Sequence, residues 1–160
     1  MRIITSAVFA LLLGSVQAIA VPLLPNLYET REETTGFIGL QFDLNAFQPQ
    51  LIGGVRYTKT DTDNDVFGAK ADIALPLMGD HIFKPTVRFM SIYGSPKVQG
   101  EAGGGYNFGD QQFLFAIGAQ GPYVNGGLNY QMDGSFHPLI GINSLDGAPE
   151  RKDAYINIFN

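Results

Sequence analysis

Ser135 and His137 stand two residues apart in the stretch GSFHPLI, and on an extended strand that spacing puts both side chains on one face. A hydroxyl beside an imidazole is the start of a nucleophile and general-base pair, which needs a carboxylate to orient the ring. Glu150, further along the chain, is the acid the sequence offers for that post. The other histidine, His81, lies in a turn candidate, MGDHIF, with no second ligand beside it. Asp61, Asp63 and Asp65 in DTDND have the alternating oxygen spacing of a calcium loop. Val66, however, stands where that loop needs its turn glycine, and Asp72 where it needs the distal glutamate, so a hairpin turn is the plainer reading. GGGYNFG at residues 103–109 precedes no helix and reads as a place of close backbone approach, not a phosphate cradle. Cysteine is absent, which removes disulfides, thiolate metal sites and thiol catalysis. With two histidines, neither clustered with another ligand, the chain is expected not to be an enzyme; no catalytic residue, cofactor or metal site is assigned.

A second set of residues carries charge into otherwise apolar surroundings. In GAKADIALPL, Lys70 and Asp72 share one strand face, while Ala69, Ala71, Ile73 and Leu75 share the other. The same parity brings Asp43, Arg56, Lys84, Arg88, Lys97 and Glu101 onto the polar faces of neighbouring segments. Charges withdrawn from water are tolerable only when paired and hydrogen-bonded, so these eight residues are expected to form one ion-paired network.

The elements that would position them alternate with period two. FIGLQFDLNA at residues 37–46 sets Ile38, Leu40, Phe42 and Leu44 against Gly39, Gln41, Asp43 and Asn45. Comparable alternation runs through IGGVRYTKT, VFGAKADIALP, KPTVRFMSIY, KVQGEAGGGYNF, QFLFAIGAQ, VNGGLNYQM, FHPLIGI and AYINIF, with turn formers such as DTDND, MGD, GSP, GP and DGS between them. Pro85 and Pro138 are expected near strand ends, because proline cannot donate to a ladder. The polar stretch LPNLYETREETT is either a tail or an additional strand. An all-β, antiparallel up-and-down barrel of eight to ten strands follows. If residues 26–34 form a strand, the total is ten and the two long connections, TDTDND and SLDGAPERKD, are external; if they do not, and the C-terminal segment or another weak one is not a strand, the total is eight.

Which face points inward is not decided by alternation, since a soluble barrel or sandwich and a membrane barrel are inversions of one another. Composition leans toward the membrane form. Charged residues make up 16% of the chain, against roughly a quarter to a third on a soluble surface. A lumen of about eight strands is filled by side chains, so the charged face would plug it. Facing lipid instead, a Lys or Arg at midplane would cost roughly 2–4 kcal/mol. Aromatic rings at Phe37, Tyr57, Phe67, Phe83, Tyr93, Tyr106, Phe108, Phe113, Tyr123 and Tyr130 fall near expected strand ends, where amphipathic rings settle at the headgroups.

Residues 1–20 read as a cleaved signal peptide: Arg2, an apolar run from Ile3 to Leu13, and a small-x-small site at Ala18-Ile19-Ala20. Residues 21–160 are then one domain, with a net charge of about −6 once Arg2 is removed. That field makes nucleic acid a poor partner.

With an export signal, no cysteine and short alternating strands up to the C-terminus, the whole mature chain resembles the small outer-membrane β-barrel proteins of Gram-negative bacteria. Such proteins end in a strand whose terminal aromatic is read by the assembly machinery; AYINIFN here ends on Phe159 followed by Asn160. The stretch DTDNDVFGAKADIALPLMG resembles the uncharacterised YfaZ-like group of outer-membrane proteins over one hairpin. The resemblance implies a monomer in the outer membrane, with lipid as surroundings and with periplasmic chaperones and the barrel-assembly machinery as partners during biogenesis. Its role would be structural, adhesive or surface-interacting. Barrel enzymes that cut acyl esters carry H-x-S, whereas His137 is followed by Pro138 and Leu139; a lipid-modifying enzyme is the remote alternative. The nearer alternative is a soluble periplasmic or secreted barrel that binds a small apolar ligand in its mouth, as lipocalins do.

Overall fold

The computed structural model describes residues 30–79, 82 and 84–150. The signal peptide, His81, Phe83 and the strand expected at residues 154–159 lie outside the described residues. Eight strands follow one another: β1 (Arg31–Asp43), β2 (Gln48–Thr60), β3 (Val66–Pro76), β4 (Thr86–Gly94), β5 (Gln99–Asn107), β6 (Gln112–Gly121), β7 (Val124–Gln131) and β8 (Phe136–Asn143). Each pairs antiparallel with its neighbour in sequence, and β8 returns to β1, closing an up-and-down barrel. Closure leaves no unpaired sheet edge along the shared stretch, where Gly39 to Asp43 face Asn143 to Leu139.

The strands are staggered. Following paired residues around the wall from Gln41 leads through Gly141, Asn125, Gln120, Gln99, Gly94, Val66 and Thr60 to Arg31, ten residues back along β1. That stagger tilts the strands and lets eight of them close around a packed interior.

Of the strand expected at residues 26–34, only residues 30–34 are described, and they do not form a separate element. From Arg31 onward they extend β1 itself, in register with Thr60 to Tyr57 of β2, because the Glu and Thr run contains no turn former to interrupt pairing. Among the described residues the strand count is therefore eight. Residues 61–65 and 144–150 lie at the end where β1 begins and β8 finishes, called here the terminal end. The longest connection between consecutive strands is residues 77–85, at the opposite, distal end. DTDND is a hairpin turn whose Asp61 carboxylate accepts the amides of Asp63 and Asp65, both at 3.0 Å, with Asn64 at φ 64°. Pro85 precedes β4. Pro138 lies within β8, where pairing to β1 has not yet begun; its carbonyl accepts the Leu44 amide at 2.9 Å.

The two faces are the reverse of a water-soluble core. Arg56, Lys70, Asp72, Arg88, Glu101, Gln41, Gln99 and Gln120 are buried in the lumen, while Ile38, Val55, Phe89, Phe113, Phe115, Ile117, Ile140 and Ile142 stand exposed on the outer wall. Inward glycines make room for the large polar groups. Asp72 lies opposite Gly54, and Arg88 opposite Gly105. A Cβ on Gly105 would meet the Val87 carbonyl oxygen at 2.2 Å and the Arg88 Cγ at 3.1 Å. Phe37 departs from the aromatic pattern expected of it. It lies within β1, opposite Gly54, on the inward parity, and is buried rather than placed at a strand end.

Candidate functional site

Two polar constellations are built on this wall. The first fills the lumen. Arg88 Nε is 2.7 Å from Asp72 Oδ1, its cross-strand neighbour, and Arg88 Nη2 donates to Gln41 Oε1 at 3.1 Å. Lys70 pairs closely with Glu101 and lies 3.9 Å from Asp72, with its ammonium 5.8 Å from the centre of the Phe37 ring. These four charges form a continuous chain of alternating sign, which is how burial of ions is offset. A cavity of about 20 Å³ beside Lys70, Arg88, Glu101 and Asn129 has room for about one water.

Arg56, 1% exposed, faces the terminal end. It binds the segment that follows β8: its guanidinium donates to the carbonyls of Asp146 at 3.2 Å and Gly147 at 3.1 Å, and to Gln99 Oε1 at 3.4 Å. Thr60 Oγ1 donates to the Pro149 carbonyl at 3.0 Å, and the Ala148 amide to the Pro96 carbonyl at 2.8 Å. Leu145 is buried with Phe37, Ile52 and Ala74. Residues 144–150 thus cross the barrel mouth as a strap tied to β1 by the Ser144 amide on the Ile38 carbonyl, to β2 and to the β4–β5 turn.

The eight charges expected to form one network do not all meet. Lys84 is exposed, because β4 starts only at Thr86. Lys97 has the right parity but sits in the turn before β5, exposed, 3.6 Å from Glu150. Asp43 is buried, yet its partners belong to the second constellation.

That second constellation lies at the distal end. Asp43 closes β1, and its Oδ1 accepts the Asn45 and Ala46 amides of the following turn at 2.9 and 3.3 Å. Its Oδ2 lies 2.7 Å from His137 Nδ1. A carboxylate can only accept, so Nδ1 carries a proton; in the neutral ring Nε2 is then the acceptor, 3.2 Å from Ser135 Oγ. Asp43 is 8% exposed at its side chain and His137 27%, so the acid is enclosed and the imidazole reachable. Ser135 is anchored from below. Its amide donates to Asp133 Oδ1 at 2.8 Å, the Asp133 amide donates to Gln112 Oε1 at 3.1 Å, and Gly134 takes φ 91° to complete the turn. Hydrogen bonds from the Ser135 hydroxyl and amide hold the Asp133 carboxyl below its ordinary range.

Sequence parity places Ser135 and His137 together, but it misidentifies the acid. Glu150 is at the terminal end, bonded to Lys97 and, through its carbonyl, to Arg31. Asp43 takes its place because β1 and β8 meet at closure: Asp43 pairs with Leu139, two residues from His137 on the same face. The inward parity of Asp43 was readable, whereas the pairing of residues so distant in sequence was not. The chain matches no family model, no curated protein and no solved structure, so its function has to be argued from this geometry.

Proposed function

We propose that the chain is an integral outer-membrane barrel with a plugged lumen, serving a structural, adhesive or surface-interacting role rather than forming a channel. The observation that carries this reading is the reversal of the two faces. Phe115, 62% exposed, sits on the outer wall while Arg56, Lys70, Asp72, Arg88 and Glu101 are enclosed. In water such an exterior would be a large uncovered apolar patch; against acyl chains it is the lower-energy surface. Closure satisfies the backbone without water, as a lipid-facing sheet requires. Aromatic pairs flank the belt: Phe67 and Tyr93, 5.0 Å apart, near the terminal end, and Tyr130 and Phe136, 4.9 Å apart, near the distal end. A lipocalin-like role needs an apolar chamber, and the ion-paired lumen does not provide one. Lipid is then the exterior partner, with assembly machinery and chaperones needed for insertion, and the monomer suffices because the shared edges are closed.

In this reading the short turns of the terminal end face the periplasm, and residues 77–85 face outward. Single cysteines at Met132 (distal) and Asp63 (terminal), probed in intact cells with a membrane-impermeant maleimide, test location and orientation together. Labelling of Met132→Cys alone is the expected result, with the protein in the detergent-soluble envelope fraction and shifting on a gel when boiled. Recovery in osmotic-shock fluid without detergent would sink the proposal.

A further inference from the structure

We propose that Ser135, His137 and Asp43 form an acyl-transfer site that hydrolyses carboxylic esters bearing a long acyl chain. The arrangement has the three parts such chemistry needs: a hydroxyl 3.2 Å from a ring nitrogen, that ring held through its other nitrogen at 2.7 Å, and the holding carboxylate fixed by two backbone amides of its own turn. The three residues come from opposite ends of the chain and meet only at the closing seam. They are partly open at the distal rim, where Phe47, Met132 and Phe136 expose apolar surface fit to hold an acyl chain. The Asn45 side-chain amide, which donates to the Phe136 carbonyl, places a polar N–H group one residue from Ser135.

In the reaction, Ser135 Oγ bonds to the ester carbonyl carbon as its proton passes to His137 Nε2. The tetrahedral adduct collapses with cleavage of the carbon–oxygen bond to the alcohol, which departs with that proton. A water molecule then gives a proton to the same nitrogen and adds to the acyl-serine; Ser135 leaves, recovers the proton, and the carboxylic acid is released. Asp43 touches no reacting atom and acts as a positioning residue. Asp133 accepts the Ser135 amide at 2.8 Å and so fixes the backbone from which the hydroxyl projects.

The test does not depend on where the barrel resides. The full chain, folded in detergent and checked by its gel shift, is treated with a fluorophosphonate and assayed with p-nitrophenyl butyrate and decanoate. Expected are a phosphonyl adduct on Ser135 located by mass spectrometry, faster turnover of the decanoate, and a loss of about 100-fold or more in Ser135→Ala. Asp43→Asn should lower kcat about tenfold or more at little change in KM. A folded wild-type protein that takes no label at Ser135, or a Ser135→Ala variant as fast as wild type, overturns the site. Equal turnover of the two esters overturns the acyl-chain assignment.

Discussion

At the scale of single residues, the lumen is governed by the difference between a paired and an orphaned buried charge. Glu101 and Lys70 are both buried and bonded to each other. Lys70→Met should therefore cost about 3–5 kcal/mol, measured by urea unfolding of the reconstituted barrel, because it leaves Glu101 without its cation. Adding Glu101→Leu should recover most of that loss, since an apolar pair needs no counterion and the Asp72 to Arg88 bond at 2.7 Å remains. A double variant no more stable than Lys70→Met would show that Lys70 is held by something other than Glu101. The charge pattern was legible in sequence for Lys70, Asp72, Arg88 and Glu101, whose inward parity follows from alternation. Lys84 and Lys97 escaped it because parity says nothing of where a strand stops, and both stand outside β4 and β5.

Element by element, the wall depends on how closely strands approach, and glycines mark the tightest places. Gly103 on β5 lies opposite Met90 of β4, and a Cβ there would meet the Phe89 carbonyl oxygen at 2.0 Å. Backbone of a paired strand cannot withdraw without loss of its ladder. Gly103→Ala is accordingly expected to lower the yield of folded, gel-shifting barrel sharply, although alanine is the smallest side chain available. Gly134 has open space around its Cβ position but φ 91°, so its constraint is conformational instead. Sequence reading placed glycines in the GGG run as points of close approach; which neighbour they approach emerged only with the register.

For the whole molecule, the decisive quantity is the medium around the outer wall. Ile117 is 59% exposed at the middle of β6 and paired with Leu128 on β7. In a bilayer, Ile117→Arg should cost about 2–4 kcal/mol near midplane, read as a lowered urea midpoint in vesicles. On a water-facing wall the same change would be close to neutral, and such a result would argue against the membrane reading. The distal cluster of Ser135, His137 and Asp43 belongs to this scale as well, since it exists only where the barrel closes on itself.

Alternation by itself determined that this protein is a succession of strands with one apolar and one charged face, because side-chain parity in a strand is a local property of the backbone. Turn residues located most strand ends for the same reason. Which strands meet at closure, and therefore that Asp43 rather than Glu150 reaches His137, was decided by the tertiary structure. The stagger of ten residues and the β1–β8 pairing depend on the geometry of all eight strands at once, and no local stretch of sequence contains that information.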